Sequence, residues 1–150
     1  MEAEEIDNKT RYLCFILSDE EYAIDIEDIK EIINVQEITE VPGAPEYIKG
    51  IISLRGVIIT IFDFRKRLGF QEKEYGKDAR IIVVSVDNAQ IGILVDSVTE
   101  VLQISEREVE PPPPVIGGIE AEYLKGIGRV KGRIVILLNL NKALKVEGDK

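Results

Sequence analysis

The strongest signal for the fold of this chain is the stretch IKGIISLRGVIITIFDFRKRLG, residues 48–69. Two runs of β-branched and other apolar residues flank Arg55-Gly56, which is typical of two strands joined by a tight turn. Glycine at the second turn position supplies the positive φ that a two-residue hairpin requires. We therefore expect a β-hairpin, followed by a short helical segment that ends at Gly69.

The same pattern recurs in the second half of the chain. With an offset of 76 residues, YIKGIISLRGVIITIFDFRKRLG (47–69) aligns with YLKGIGRVKGRIVILLNLNKALK (123–145), and Lys131-Gly132 falls on the turn of the first copy. A second set of apolar residues repeats with an offset of 69 residues: Ile26, Ile29, Ile32 and Ile33 align with Val95, Val98, Val101 and Leu102. Two copies of a strand-rich unit that is too small to be stable alone should pack around a shared core.

Apolar runs broken by turn residues predict the remaining elements. The expected strands are 12–17, 22–26, 33–38, 51–54, 57–62, 80–86, 90–95, 126–130 and 134–138, with helical turns at 26–33, 63–68 and 139–144. Many short strands with regular turns favour small barrels over alternating strand–helix units. We expect a mostly β domain over 12–146, between a loosely attached leader, 1–11, and a tail, 147–150.

The composition disfavours several classes of function. The formal net charge is −9, which disfavours binding to nucleic acid or to an anionic membrane. The chain contains no histidine, so it has no Ser-His-Asp or Cys-His catalysis and no imidazole metal ligand. Cys14 is the sole cysteine, which forbids an internal disulfide and fits a reducing cytoplasm. The first residues show no secretory signal, and no apolar run approaches the ~20 residues that span a bilayer.

Two patterns suggest chemistry, and each has a simpler structural interpretation. Gly126-x-Gly128-x-x-x-Gly132 is close to a dinucleotide-binding fingerprint, but its spacing is one residue too long and it leads into a strand rather than a helix. Glycines of a repeated hairpin are the better interpretation. Asp63 and Asp96 follow strands, where an acid–base pair of a hydrolase could lie, although most such carboxylates are caps or surface groups.

The repeated apolar residues predict a seam between the two copies. A pseudo-twofold axis would bring Ile29 and Ile33 close to Val95 and Val98, either as plain core or as a groove for a partner helix. Arg55 has two interpretations as well. It is a solvated turn residue, or it marks an interaction surface together with the second turn cation, and the residues alone leave this open.

Four stretches resemble the CheW family of bacterial chemotaxis coupling proteins. They are DEEYAIDIEDIKEI (19–32), IKGIISLRG (48–56), RGVIITIFDFRKRLG (55–69) and YLKGIGRVKGRIVILLNLNKAL (123–144). The resemblance runs from about Tyr12 to Leu144. Thr60 stands where the family usually has proline, and Phe64 where leucine is usual. Both are packing changes that leave the resemblance intact.

The resemblance implies two five-stranded β-barrels around a common core, here approximately 12–75 and 76–146, with or without an exchange of strands. It implies a non-enzymatic cytoplasmic adaptor, monomeric in isolation and without cofactor or metal, that couples the cytoplasmic tips of chemoreceptors to the regulatory domain of the histidine kinase CheA in membrane-associated arrays. The receptor-binding positions implied are Ile26, Ile29, Glu31, Ile33, Gly50, Arg55, Val95 and Val98. Gly56, Lys131 and Gly132 are candidates for kinase binding or for the hairpin tips.

Two alternatives remain beside the adaptor. The chain could be a CheW-like regulatory domain of a CheA kinase or of a larger adaptor, although its charged ends favour a free-standing protein. A carboxylate-based hydrolase is the alternative from another class. If Arg55 belongs to a working surface, it is expected to pair with carboxylates of a partner or to fix Glu31.

Overall fold

The protein is mostly β. Its computed structural model describes residues 8–71, 74–113, 115–116 and 119–145. The strands, in chain order, are β1 (Lys9–Leu17), β2 (Glu20–Asp25), β3 (Ile29–Asn34), β4 (Ile48–Leu54), β5 (Val57–Asp63), β6 (Arg80–Val86), β7 (Ala89–Val95), β8 (Ser97–Ser105), β9 (Val109–Glu110), β10 (Val115–Ile116), β11 (Ile119–Glu120), β12 (Leu124–Val130) and β13 (Arg133–Leu138). Two short helices, α1 (Phe64–Arg67) and α2 (Leu140–Ala143), follow β5 and β13. The predicted tail and residues 1–7 of the predicted leader lie outside the described residues. β1 begins at Lys9, within the range predicted for the leader.

The strands form two large sheets and one small hairpin. Sheet A has six strands in the order β8-β1-β2-β13-β12-β9, sheet B has five in the order β3-β6-β7-β5-β4, and β10 pairs with β11. Among the described residues no sheet closes on itself, so the expected pair of closed five-stranded barrels is not what we observe. In sheet A, β8 runs into a 3-10 turn at Glu106–Glu108, and only the two residues of β9 pair with β12. In sheet B the corresponding position has a single bridge between Thr39 and Ile51.

The two halves of the chain exchange hairpins. In each sheet, the first hairpin of one half pairs with the last hairpin of the other half. Sheet A combines β1 and β2 with β12 and β13, whereas sheet B combines β6 and β7 with β4 and β5. The two junctions are parallel and equivalent, since Tyr22 pairs with Ile136 and Ile91 pairs with Thr60. The sheets therefore do not divide the chain at residue 75, because the copies are intertwined.

The repeat found in the sequence recurs in local detail. Both last hairpins carry a register shift at matching positions, between Ile48 and Gly50 and between Leu124 and Gly126. Asp63 caps α1 and Asn139 caps α2, and the cap residues donate their backbone N–H to Tyr47 and Tyr123, at 2.8 and 2.9 Å. The glycines at 126, 128 and 132 belong to this hairpin, which supports the structural interpretation of the glycine pattern.

Three apolar clusters hold these sheets together. The largest lies between sheets A and B and includes Phe15, Tyr22, Phe62 and Ile93. A second cluster belongs to sheet A, with Tyr12, Cys14, Ala23, Leu102, Ile104, Val130, Val135 and Leu137, and a third belongs to sheet B, with Ile52, Ile59, Ile61, Ile81, Val83 and Leu94. The strands of both sheets are therefore covered on both faces over much of their length, which explains their nearly continuous apolar runs.

Two elements differ from the expectation. The helical turn predicted at 26–33 is a 3-10 turn of only three residues, Ile26–Asp28, and the strand that follows starts at Ile29 rather than Ile33. The β-branched residues after Asp28 favour the extended conformation once they pair with β6. The repeat partner of β3 is β8, a nine-residue strand whose equivalence to β3 the 69-residue offset predicts.

Candidate functional site

The Arg55-Gly56 turn joins β4 and β5 with two positive φ angles, 50° and 83°. The second turn repeats them, with 53° at Lys131 and 80° at Gly132. Two successive positive φ angles define the turn whose twist matches that of paired strands. The predicted role of the glycines is confirmed, but the left-handed backbone of Arg55 and Lys131 is not evident from residue type.

Arg55 pairs with Glu31 of β3. Its Nη2 donates to Glu31 Oε2, and the two side chains are 68% and 33% exposed. Of the two contacts expected for Arg55, the one with Glu31 is present in the structure. An exposed pair adds little stability, so its main consequence is geometric, because it ties the hairpin tip to the edge of β3.

A bulge in β3 separates the side chains that were predicted to line one seam. Ile29 pairs with Val84 and packs against the cluster between the sheets, whereas Ile33 pairs with Ile81 and packs against the sheet B cluster. The register shifts between Ile29 and Glu31, and one extra residue in a strand turns the following side chains to the other face. The expectation that Ile29 and Ile33 share a seam was wrong for this reason.

Two other predicted contact residues are buried. Val95 is fully buried in the cluster between the sheets, so it belongs to the core and not to a groove. Gly50 is buried beneath the segment that precedes β4, where a Cβ would contact the Thr39 carbonyl oxygen. Ile26 is half-buried, and Val98 is half-buried against the same cluster as Val95. The half-buried residues retain surface that a partner can reach.

Several exposed apolar side chains were missed by the sequence reasoning. On β3, Ile32 is 42% exposed, and its repeat partner Val101 is 45% exposed. On β5, Ile58 is 61% exposed, and its repeat partner Ile134 is 55% exposed. The available signal was that both copies keep an apolar residue at these positions, but periodicity cannot tell a covered strand face from an uncovered one.

We define the β3–tip surface as Glu31, Ile32, Ile33, Arg55 and Val57. The ion pair brings Arg55 to the edge strand β3, and Val57, two residues after Arg55 at the start of β5, is exposed. The surface thus combines exposed or half-buried apolar groups with one charge pair. This mixture is typical of a protein–protein interface.

The two aspartates considered for a hydrolase have structural partners. Asp63 Oδ1 accepts from the backbone N–H of Arg65 at 3.1 Å and from the Tyr75 hydroxyl at 2.6 Å. Asp96 forms an ion pair with Arg65, and its Oδ2 accepts from the Ser18 N–H at 2.8 Å. Burial, and then the hydrogen bond to Asp63, raises the pKa of Tyr75. Asp63 therefore caps α1, whereas Asp96 is held by an ion pair and by the backbone N–H of a turn residue.

The described ranges contain no group of three His, Cys, Asp or Glu residues arranged to hold a metal ion. No helix in those ranges is long and apolar enough to cross a membrane.

The fold and this surface define a class of protein. It is an intertwined two-sheet β domain with open strand edges among the described residues and with exposed apolar side chains near its hairpin tips. Comparison with known proteins then gives the family: the model of the CheW-like domain matches residues 11–147. The chain belongs to the CheW-like family.

Individual relatives are similar over most of the chain. The chemotaxis protein CheW of Treponema pallidum is 36% identical over 140 residues, which cover 91% of this chain and 82% of that protein. The chemotaxis protein CheW of Bacillus subtilis is 31% identical over 146 residues, which cover 97% and 94%. The crystal structure of the scaffolding protein TtCheW from Thermoanaerobacter tengcongensis matches with a TM-score of 0.88 at 37% identity, over 95% of this chain and 97% of that chain. The relatives are thus chemotaxis and scaffolding proteins.

Proposed function

We propose that this protein is a non-enzymatic chemotaxis adaptor that couples chemoreceptor tips to the regulatory domain of CheA. Membership of the CheW-like family supports this role. The single structural observation that carries it is the β3–tip surface, where Arg55 ties a hairpin tip to an edge strand beside exposed apolar groups. In this proposal the protein acts in the cytoplasm as a monomer and is recruited to receptor arrays at the membrane.

The receptor tip is the proposed partner of this surface. A receptor tip is a helical hairpin, so apolar side chains on one helix face can lie against an apolar strand edge. We assign direct contacts to the accessible members of the predicted set: Ile26, Ile29, Glu31, Ile33, Arg55 and Val98. Gly50 and Val95 are buried and make no direct contact with the receptor in this proposal. Gly56, Lys131 and Gly132 remain candidates for kinase binding.

Reconstitution of kinase activity tests the coupling role. Purified receptor fragment, CheA and this protein are combined, and phosphorylation of CheA is measured with and without the protein. We expect receptor control of the kinase only when the protein is present. Receptor control that is the same without the protein would contradict the proposal.

Arg55→Glu tests the surface. We expect weaker binding to the receptor fragment, mainly through slower association at low salt, because a rim charge changes the association rate more than the contacts formed. Thermal melting should change little, since Arg55 is largely exposed. Lys131→Glu makes the same charge change at the other tip and serves as the matched control. Equal binding of wild type and Arg55→Glu at all salt concentrations would show that the tip is only a turn.

The double variant Glu31→Arg/Arg55→Glu separates two roles of Arg55. If Arg55 acts by fixing Glu31, the reversed pair restores receptor binding. If Arg55 meets a carboxylate of the receptor, binding stays weak. The coupling energy from the four proteins measures the difference.

A further inference from the structure

A groove of about 640 Å³ opens between β8 and the tip of the β12–β13 hairpin. Residues 100–103 and Ser105 of β8 line one side, and Val130 and Lys131 line the other. Within the described ranges β8 pairs only with β1, and β12 pairs with β9 only at Ile127 and Gly128. The strand edges beside the groove therefore have no strand partner among the residues that the structure describes. An unpaired edge is a template for the addition of another strand.

The β12–β13 tip beside β8 is equivalent in the repeat to the β4–β5 tip beside β3, but the two tips have different contacts. On sheet B the Arg55–Glu31 pair ties the tip to β3. The equivalent residues in sheet A are Lys131 and Glu100, but Glu100 pairs with Arg133 instead. Lys131 has no ion-pair partner among the described residues, so the second tip is not tied to β8 in this way.

The groove is basic, although the whole chain is acidic. Its cations are Lys9, Arg107 and Lys131. Its two carboxylates, Glu100 and Glu108, keep their negative charges, because Arg133 is shared between Glu100 and Glu21 and because Glu108 accepts only from the neutral Ser105 N–H, at 2.8 Å. Lys9, like Lys131, has no ion-pair partner in the part of the chain that the structure describes. These two lysines favour carboxylates on the occupant.

The groove has three apolar residues among its lining. Leu102 and Val130 are only 7% and 4% exposed and belong to the sheet A cluster, whereas Val101 is 45% exposed. Side chains alternate between the two faces of an added strand. One row would therefore meet Leu102 and Val130 while the other meets water and the lysines.

We propose that this groove binds an extended acidic segment of a partner protein, which adds to β8 as a strand and alternates apolar residues with Asp or Glu. The apolar residues cover the sheet A cluster, and the carboxylates lie near Lys9 and Lys131. The groove is separate from the β3–tip surface, so it does not depend on the receptor role. It shares Lys131 with the candidates for kinase binding, and a titration without CheA tests the groove independently of that role.

The test uses the full chain and a synthetic probe, the capped peptide Val-Glu-Val-Glu-Val-Glu-Val, in an NMR titration. We expect saturable shifts of the amides at 100–105 and 129–131, together with slower hydrogen exchange along β8. The peptide with lysine in place of glutamate should bind at least about tenfold more weakly, since the groove is basic. Lys131→Glu should lower the affinity for the acidic peptide by a similar factor. Arg55→Glu, the same change on sheet B, should leave it unchanged.

Three results would overturn the proposal: no saturable binding up to about 5 mM, beyond the range of weak specific contacts; shifts centred away from β8; or equal binding of the acidic and basic peptides. Thermal melting checks that Lys131→Glu is folded, and Lys131→Gln repeats the measurement without introducing a negative charge. If neither Lys131 variant weakens binding of the acidic peptide, the groove is not its site.

Discussion

Arg67 is a buried cation that joins the two halves of the chain. Its guanidinium carbon lies 4.3 Å from the ring centre of Tyr47 and 5.1 Å from that of Tyr123, which are equivalent residues in the repeat. Its Nε donates to the Ala143 carbonyl oxygen at 2.7 Å, and its Nη2 donates to the carbonyl oxygen of Lys145. The repeat places Ala143 where a second arginine would stand. One arginine thus serves both copies, and a second would bring two buried like charges together.

Alanine substitutions at Val95 and Val98 test which of the two side chains belongs to the core. Val95→Ala should lower the free energy of unfolding by about 2–3 kcal/mol, because it removes buried methyl groups and leaves a cavity. Val98→Ala should cost about 1 kcal/mol or less, because the side chain is only half-buried. Urea unfolding of the two variants measures the difference. Equal losses would show that Val98 is core as well.

Titration of the Cys14 thiol should lower the stability of the folded protein at alkaline pH. Burial, and then the charge of Glu21, raises the pKa of this thiol from 9.0 to about 11. The folded state therefore holds the proton more tightly than the unfolded state. The resulting stability is complete below about pH 9 and is lost as the pH rises through about 11. Burial also raises the pKa of Tyr22 and of Tyr75, which acts in the same direction.

The urea midpoint measured from neutral to alkaline pH checks this prediction. Cys14→Ala should flatten the decline between the two pKa values, because it removes the titrating thiol and leaves the tyrosines. An identical pH profile for wild type and variant would rule out a contribution from Cys14.

The position of the segment before β4 depends on the absence of a side chain at Gly50. Thr39 and Ile51 exchange two backbone hydrogen bonds of 2.9 Å, so this segment crosses β4 directly above Gly50. A Cβ at Gly50 would lie 2.6 Å from Ile38 Cγ2 and would also contact the Thr39 carbonyl oxygen. The close approach at Gly50 holds this segment against β4, and Ile38 packs on the same sheet B cluster as Ile33.

Gly50→Ala should be more destabilising than an alanine at another glycine of positive φ. We expect a loss of about 2–4 kcal/mol, because the crossing segment must move away from β4. Gly56→Ala is the matched control: nothing lies within 4 Å of its Cβ, so it should cost only the ~1 kcal/mol of left-handed backbone. Urea unfolding and hydrogen exchange at Thr39 and Ile51 give both quantities. If the two variants lose equal stability, the close approach at Gly50 is unimportant.

At the scale of the whole molecule, the exchanged hairpins make the two sheets interdependent. Sheet B cannot form without β6 and β7 from the second half, and sheet A cannot form without β1 and β2 from the first. The largest apolar cluster also lies between the sheets. We therefore expect one cooperative unfolding transition and not two.

Equivalent core residues test this cooperativity. Ile61 and Leu137 are fully buried at matching positions in sheets B and A. Alanine at either position should cost about 2–5 kcal/mol and should speed global hydrogen exchange in both sheets to the same extent. Faster exchange confined to the sheet that carries the substitution would show that the sheets unfold separately.

Much of this architecture could be predicted because its signals are local. The turn at Arg55-Gly56 and its copy at Lys131-Gly132 follow from turn chemistry, and the offsets of 76 and 69 residues recur as matching bulges and caps. The candidate surface was predicted less well. Val95 and Ile33 satisfy the same apolar pattern as Ile29, but a single bulge and a second sheet decide which of them a partner can reach.

Strand periodicity and turn residues act over a few neighbours, so the β class, the internal repeat, the two hairpin tips and the family resemblance can be inferred from the sequence alone. The exchange of hairpins between the copies, the open sheets of the described residues and the groove beside β8 are evident only in the folded chain. Strand pairing between distant segments is chosen by the joint burial of both faces, and no single segment carries that information. The pairing of Glu100 with Arg133 rather than with Lys131 is likewise a choice among cations brought together only by folding.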